Sequence, residues 1–430
     1  TYTFTISCPG YVTKTEQVIL GPGENKRVDI KLQRMDPAKL SLALLQKAVA
    51  EKDTDAIFEL ALRYRDGKRG ISSPSQTKAF ELFLEAAMKG HEEAQFNVGH
   101  MYYHDKGVKQ DKFQGVRWFK PGLRTNNRDS IEGMAFAYHE GGGGVEKNQQ
   151  KAFELWSKSA QASQQHACYW LAHYYEYGIA TSKNLQKAFQ WYKRGAELNN
   201  PASTDRLAWF YQNGFGTPKD LAKALQCWRK TVELRITTGF YWLGHYYENG
   251  IVVTKDLKKA REWYERGAQC KINPCLDRLA FIYQDGLGVP KNKAKALEYW
   301  RKAAEGNWVH AFFWIGDAYV NGIVYKKDLT EAVRWFRRGA EMGNGNCQNS
   351  YGHALLLGYG VKKNYKEAVQ WFKKAAAQNN QHSCFWLGNC FENGWGIEKS
   401  LRDAILWYRK GAALKNPASI DALKRLKLSH

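Results

Sequence analysis

Residues 275–310 read CLDRLAFIYQDGLGVPKNKAKALEYWRKAAEGNWVH, and this 36-residue unit decides the fold. A small residue opens the unit, a leucine follows four positions later, and then come a small residue, a tyrosine and a glycine. The leucine position recurs at a fixed step, at Leu171, Leu207, Leu243, Leu279, Ile315, Tyr351, Leu387 and Leu423. Such a period is typical of repeat proteins, in which each unit packs only on its neighbours. The chain is therefore expected to be an array of small units.

Each unit is predicted to be a helical hairpin. In the unit from Ala167, that residue, Leu171, Ala172 and Tyr175 share one helix face at ~100° per residue. Glycines that suit a left-handed cap follow the first helix, at Gly178, Gly214, Gly250, Gly286, Gly322, Gly358 and Gly394. Residues that suit an N-cap precede the second helix, at Asp111, Asn148, Asn184, Asp220, Asp256, Asn292, Asp328, Asn364 and Ser400.

The repeat follows the pattern small-x-x-x-Leu-Gly-x-x-Tyr-x-x-Gly-x-Gly-Val, then Asp-x-x-Lys-Ala-x-x-Trp and Ala-Ala. Residues 97–99 with 106–111, and 279–289 with 295–296, match it closely. This pattern resembles the bacterial-type Sel1-like repeat (SLR) family, relatives of tetratricopeptide repeats, over about residues 56–430. The resemblance implies an all-α, right-handed α-solenoid of helix-turn-helix repeats that acts as a scaffold for protein assembly.

Three regions are predicted along the chain. Residues 1–35 alternate as short strands over 2–6, 18–20 and 28–32 and weakly resemble the C-terminal part of a PEGA domain, a small β module, although its Pro-Glu-Gly-Ala motif is absent. Residues 36–53 are expected to form a linker and a capping helix, and 54–430 an array of about ten hairpins that ends in a C-terminal capping helix. Complete units begin near Ala56, Ala94, Ser130, Ala167, Ser203, Gly239, Cys275, Ala311, Cys347 and Ser383.

Two units depart from the pattern. The unit from Ala94 has Gly115 in place of alanine and Pro121 inside its second helix, which is expected to break or kink that helix. The next unit has an extra residue in the run 141–144, which is Gly-Gly-Gly-Gly. Two interpretations remain open: a local bend or hinge, and a neutral irregularity in a long array.

The sequence gives no support for catalysis. The recurring Gly-x-Gly never continues to the Gly-Lys-Ser/Thr of a phosphate-binding loop, the histidines lack metal-ligand spacing, and there is no nucleophile elbow. We therefore expect no enzyme activity, no cofactor and no metal. The eight cysteines do not recur at a fixed position and are expected to be mostly free thiols, with Cys270 and Cys275 the nearest pair.

The positions two and three residues after each unit's start alternate in character. Units from Ala167, Gly239, Ala311 and Ser383, the aromatic hairpins, carry an aromatic pair there, whereas units from Ser203 and Cys275 carry Asp-Arg. The alternation fades at 349–350, which is Asn-Ser. The true period is therefore 72 residues. With two histidines one turn on, these positions form the first-helix strip, our candidate partner-binding residues: Tyr169, Trp170, His173, Asp205, Arg206, Tyr241, Trp242, His245, Asp277, Arg278, Phe313, Trp314, Phe385 and Trp386.

Two interpretations of the strip stay open. On a helical wheel it lies away from the core leucines, so its side chains should be partly exposed on the inner wall of a tetratricopeptide-type superhelix. Arg206 and Arg278 could then lie over neighbouring tryptophans, in cation–π contacts of ~0.5 to 1 kcal/mol each. Trp, Tyr and Arg dominate binding energy at interfaces, which favours a peptide or protein groove. The alternative is that the tryptophans only fill grooves between repeats.

A second stripe, the basic ridge, lies on the second helices: Lys193, Arg194, Arg229, Lys230, Arg266, Arg301, Lys302, Arg337, Arg338, Lys373, Lys374, Arg409 and Lys410. We expect these cations to point away from tryptophans such as Trp191, Trp263, Trp335, Trp371 and Trp407. With 64 basic against 42 acidic residues and a net charge of +22, acidic partners are favoured. The ridge could bind a polyanion, or it could simply keep the outer face soluble.

The expected function is a non-catalytic scaffold or adaptor that binds a protein or peptide through the first-helix strip. Binding of nucleic acid or another polyanion by the basic ridge is the alternative. A third possibility follows from the first residue, Thr1, which suggests a segment of a longer protein. Because PEGA-like modules are sometimes joined to signalling enzymes such as protein kinases, this chain could be the regulatory repeat region of one. No apolar stretch is long enough to span a membrane.

Overall fold

The computed structural model describes residues 2–6, 14–18 and 36–426. Near its start, β1 (Tyr2–Ile6) pairs antiparallel with β2 (Lys14–Val18), and Tyr2 stands opposite Val18. The second strand thus ends where the sequence predicted it to begin, and the predicted strand over 28–32 lies outside the described residues. The division at 35/36 and 53/54 remains a prediction.

The chain forms two compact units, residues 1–219 and 220–430. In the first, a 3-10 turn (Pro37–Lys39) precedes ten helices. Helix α1 lies within the segment predicted to cap the array, and the buried Arg63 donates to the carbonyl of Leu40, just before this helix, at 2.9 Å. The helices are α1 (Leu42–Ala50), α2 (Thr54–Asp66), α3 (Gln76–Met88), α4 (Glu92–His104), α5 (Lys112–Arg124), α6 (Arg128–Glu140), α7 (Gln149–Gln161), α8 (Gln165–Tyr177), α9 (Leu185–Glu197) and α10 (Pro201–Asn213).

The second unit contains twelve helices within residues 220–426. The last of them is short and supplies only the first half of a repeat. They are α11 (Leu221–Glu233), α12 (Thr238–Asn249), α13 (Leu257–Gln269), α14 (Asn273–Asp285), α15 (Lys293–Glu305), α16 (Val309–Asn321), α17 (Leu329–Glu341), α18 (Gly345–Leu357), α19 (Tyr365–Ala377), α20 (Gln381–Asn393), α21 (Leu401–Ala413) and α22 (Pro417–Arg425).

Inside each unit every helix packs on the next along the chain, so the stack of hairpins is an all-α solenoid, as predicted. The first helices bury the small residue and the leucine of each repeat: Ala167, Leu171 and Ala172 are all at most 2% exposed. The tyrosine at the end of the predicted face differs, because Tyr174 is fully buried whereas Tyr175 is half-buried. A Cβ on Gly244 would lie 2.4 Å from the ring of Tyr264, so only glycine allows this helix approach.

The helix ends confirm both predicted sets of caps. The seven glycines after the first helices are left-handed, with φ between +66° and +79°. Each of the nine predicted N-caps accepts a hydrogen bond from the backbone N–H three residues on. The nearly constant helix length follows from this repeated punctuation.

The structure of the two irregular repeats corrects the prediction that Pro121 breaks its helix. Helix α5 is not broken at Pro121, which lies in its last turn and is exposed, so the ring costs only one hydrogen bond near the helix end. The extra glycine is absorbed in a tight turn in which Gly142 and Val145 exchange backbone hydrogen bonds. All four glycines of that turn have positive φ, which other residues rarely adopt.

Candidate interaction surface

The first-helix strip lies on α8, α10, α12, α14, α16 and α20, as its sequence positions require. Thirteen of its fourteen side chains are half-buried, and Asp277 is buried at 8% exposure. Partial exposure is therefore confirmed for the strip, apart from Asp277. The cause of the burial differs between the aromatic hairpins and the Asp-Arg repeats.

Each strip tryptophan stacks on an aromatic ring of the preceding second helix. Trp242 lies 5.5 Å from Trp228 with 16° between ring planes, and Trp314 lies 5.0 Å from Trp300 at 8°. Similar stacks join Trp170 to Trp156 at 5.8 Å and Trp386 to Phe372 at 6.3 Å. The inner ring of every stack is at most 2% exposed. In each aromatic hairpin the strip tryptophan thus extends the core to the surface.

The arginines form a different joint between hairpins, which we name the carboxylate joint. Arg278 of α14 pairs with Glu248 of α12, and the same carboxylate accepts the hydroxyl of Tyr264 at 2.8 Å. Arg206, Glu176 and Tyr192 repeat this arrangement in the first unit, with the tyrosine at 2.7 Å.

Burial keeps the phenol of each carboxylate joint protonated. Both glutamates are 8% exposed. Desolvation, and then the adjacent carboxylate, raises the pKa of Tyr192 and of Tyr264. Each phenol therefore stays a hydrogen-bond donor. Removing either partner of a buried ion pair destabilises the folded protein strongly, because the other charge stays buried without compensation.

The residues at the three positions of the carboxylate joint change along the second unit. At the next 72-residue step the three positions are Val320, Phe336 and Ser350, so all its charged groups disappear together. One step further, Glu392 accepts a hydrogen bond from Tyr408 at 2.7 Å, but the arginine position is Ala422, and the glutamate pairs instead with Arg425, three residues on, at 2.7 Å. Sequence reasoning missed the glutamates and tyrosines, although both recur at the 72-residue step of the arginines.

These joints correct the expected cation–π ladder. The ring that the structure places under Arg206 is Phe210, at 5.9 Å, and the one under Arg278 is Phe281, at 5.8 Å. Both phenylalanines lie one turn along the arginine's own helix. Each arginine therefore reaches the preceding hairpin through a glutamate. Asp277 is also structural, since it accepts from Trp300 Nε1 at 3.1 Å, and burial raises its pKa.

The two strip histidines form an uncharged aromatic edge. His245 lies edge-on to Trp242 at 5.6 Å and stacks on Tyr241 at 6.2 Å. His173 contacts Trp170 at 5.4 Å. Burial lowers the pKa of both histidines, so they are neutral near pH 7. In the aromatic hairpin from Ala311 this position is Asp317, which the sequence analysis did not single out.

Three cations of the basic ridge do not point away from the tryptophans of their own helices. Arg266 lies 4.4 Å from the ring of Trp263, Lys374 lies 4.0 Å from Trp371, and Lys410 lies 5.2 Å from Trp407. The prediction was wrong because these pairs are three residues apart and share a helix face. Trp191, Trp263, Trp335, Trp371 and Trp407 are half-buried.

Several ridge cations also hold the preceding loop. Arg194 donates to Ser163 at 2.6 Å and Arg338 to Asn307 at 3.0 Å. The other member of each ridge pair, such as Arg229, is also exposed, and some of these have partners within the chain, since Arg301 donates to the hydroxyl of Tyr319 at 2.9 Å. Part of the ridge therefore has a structural role.

The described residues contain no grouping of histidine, cysteine and carboxylate side chains suited to a metal ion. All seven cysteines in the described part of the chain are free, and burial raises the pKa of Cys275 to about 12. Among residues 36–426, no helix has the length and apolar character needed to cross a membrane.

Comparison with known proteins identifies the repeat. The Sel1 repeat profile matches ten segments, residues 54–91, 92–122, 129–163, 165–200, 201–234, 241–271, 274–308, 310–344, 345–380 and 381–416. A protective antigen of uropathogenic Escherichia coli strains, with an SLR fold, is 29% identical with a TM-score of 0.68 over 90% of this chain and 83% of its own. A Sel1 repeat protein from Oxalobacter formigenes is 24% identical with a TM-score of 0.58, over 72% of this chain and 90% of its own. No curated protein matched significantly.

Proposed function

The chain belongs to the Sel1 repeat family, whose solenoids are generally protein-interaction scaffolds, and from this premise we propose that it is a non-catalytic adaptor that binds a protein or peptide along the first-helix strip. The observation that carries the proposal is the set of half-buried tryptophans with their neutral histidine edges. Such groups bury a large apolar area on binding and lose little conformational entropy, because they are already held in place.

The packing of the strip supports this role. Trp242 and Trp314 each stack on a buried tryptophan, so the exposed part of each ring presents a rigid surface. The carboxylate joints hold Arg206 and Arg278 in one position, with side chains 27% and 32% exposed. A surface that is rigid before binding has higher affinity, because it loses less conformational entropy when the partner binds. Packing and binding are therefore compatible roles for the same rings.

The basic ridge is the rival surface. Its exposed members would attract a polyanion, and binding through them would weaken steeply with salt. Its loop-facing members already donate to the chain's own residues, as Arg194 and Arg338 do. This use favours the first-helix strip as the specific contact surface.

To test the proposal, negative charges are introduced either on the first-helix strip or on the second helices. His173→Asp with His245→Asp adds two carboxylates to the strip, at a position where the chain itself carries Asp317. Gln190→Asp with Gln226→Asp makes the same charge change at exposed second-helix positions and is the matched control. In affinity capture from extracts of source cells, we expect the strip variant to lose the bound protein and the control to keep it.

A third variant tests the rival surface, namely Arg229→Ala with Arg301→Ala. Loss of capture in this variant alone, together with a steep decrease as salt is added, would reject the proposal in favour of polyanion binding. Circular dichroism of each variant confirms that the helices remain formed.

A further inference from the structure

One cavity in the second unit lies beside Trp314 of the first-helix strip and is lined by apolar side chains and a carboxylate. It has a volume of about 290 Å³ and lies among α14, α15 and α16. The stacked rings of Trp300 and Trp314 line it together with Leu297 and Ile323. Its size is at the lower end of ligand pockets, which suits a single side chain of a partner.

The carboxylate of Asp317 also lines this cavity. The structure gives it one hydrogen-bond donor, Nδ2 of Asn321 on the same helix, at 2.9 Å. Among residues 36–426, no lysine, arginine or histidine forms an ion pair with it. Lys293 also lines the cavity, but its side chain is exposed. The cavity therefore combines apolar walls with a half-buried carboxylate that forms no ion pair within residues 36–426, although the nearby Lys293 favours its charged form.

Asp317 stands at the repeat position of the strip histidines, and the joint-glutamate position of this hairpin is Val320. Where the chain has a buried Glu176 or Glu248, the following first helix supplies Arg206 or Arg278. The first helix that follows Asp317 has Ser350 at the arginine position. Asp317 is therefore an acidic group outside the carboxylate-joint set, in a hairpin that has neither the joint glutamate nor the joint arginine.

We propose that this cavity binds an arginine side chain of the partner protein, with its guanidinium on the carboxylate of Asp317 and its stem against Trp314. The inference rests on the proposed function, since it names the partner residue that the first-helix strip recognises. A guanidinium fits better than other groups because it is planar, pairs with a carboxylate through two N–H donors and stacks on an indole. Burial raises the pKa of Asp317, and an adjacent guanidinium would stabilise its charged form.

The test titrates the full chain, labelled with 5-fluorotryptophan, with N-acetyl-arginine amide, and follows the fluorine resonance of Trp314 by NMR. Trp314→Phe assigns that resonance. We expect a saturable shift with a dissociation constant in the millimolar range, as for a small ligand. N-acetyl-citrulline amide, which has the same shape without the charge, should cause no saturable shift.

Two variants make the result specific. Asp317→Asn keeps the side-chain shape and should weaken arginine binding by about tenfold or more, since a charge-assisted hydrogen bond is lost. Asp285→Asn removes an exposed carboxylate from the neighbouring α14 and should leave the titration unchanged. Unchanged fluorine resonances for the other tryptophans show that both variants are folded.

Three results would overturn the inference: no saturable shift, an equal shift with the citrulline amide, or an unchanged titration in Asp317→Asn. If capture still depends on the strip histidines, such a result rejects the arginine site alone. Capture that is lost only in the ridge variant rejects the proposed function, whatever the titration shows.

Discussion

The carboxylate joint of Arg278 offers a quantitative test of how the 72-residue alternation stabilises the array. In Arg278→Ser, the carboxylate of Glu248 keeps the hydroxyl of Tyr264 but loses its charge partner. The glutamate side chain is 10% exposed and the arginine side chain 32%. Breaking a fully buried pair costs about 3 to 5 kcal/mol, so we expect about 2 kcal/mol here.

The chain itself provides the compensating variant. Combining Arg278→Ser with Glu248→Val and Tyr264→Phe copies the set found at Val320, Phe336 and Ser350. No buried charge then remains unpaired, and the free energy of unfolding should return to within about 1 kcal/mol of wild type. Lys302→Ala is the control, because its pair with Glu298 is exposed on both sides and should contribute at most about 0.5 kcal/mol.

Native-state hydrogen exchange over α12, α13 and α14 is the appropriate assay. A repeat array opens locally, so one global unfolding free energy does not describe it. We expect protection of these helices to decrease in the single variant and to recover in the triple variant. A triple variant as unprotected as the single one, or a single variant equal to wild type, would refute the reasoning.

Three further predictions concern single residues. Trp314→Ala should destabilise the second unit by about 3 kcal/mol and Trp314→Phe by less, because a phenyl ring still stacks on Trp300; urea unfolding checks both. Burial raises the pKa of Glu132 to about 7, so the unfolded chain releases this proton at lower pH than the native state, and stability of the first unit should fall as pH rises through this window. Glu132→Gln should flatten this dependence in urea midpoints measured at about pH 5 and about pH 8. Pro121→Ala restores the N–H that bonds to the carbonyl of Arg117 and should stabilise α5 by about 1 kcal/mol or more, seen as slower hydrogen exchange.

The features that sequence predicted correctly depend on local geometry. Leu279, Gly286 and Asn292 each have a role that follows from the residue type and its distance from a helix end. The caps and the core of each hairpin were therefore predictable from one repeat, and the period then gave the solenoid.

The features that sequence missed depend on contacts between repeats. Glu248 stands near a helix end, where a solvated glutamate is common, and its partner Arg278 is thirty residues away. Only the shared 72-residue step connects them. Arg266 and Trp263 were misjudged for a local reason, since their three-residue spacing already places them on one helix face. The cavity at Asp317 could not be predicted, because it depends on how three helices pack.

Site-specific cross-linking shows which of the two surfaces, the first-helix strip or the basic ridge, contacts the partner. A photoreactive benzoylphenylalanine replaces His245 on the first-helix strip in one protein and the exposed Arg301 on the basic ridge in another, and both are irradiated in source cells. We expect a protein adduct from position 245 and none from position 301. Adducts from position 301 alone, or adducts that contain nucleic acid instead of protein, would contradict the proposed function.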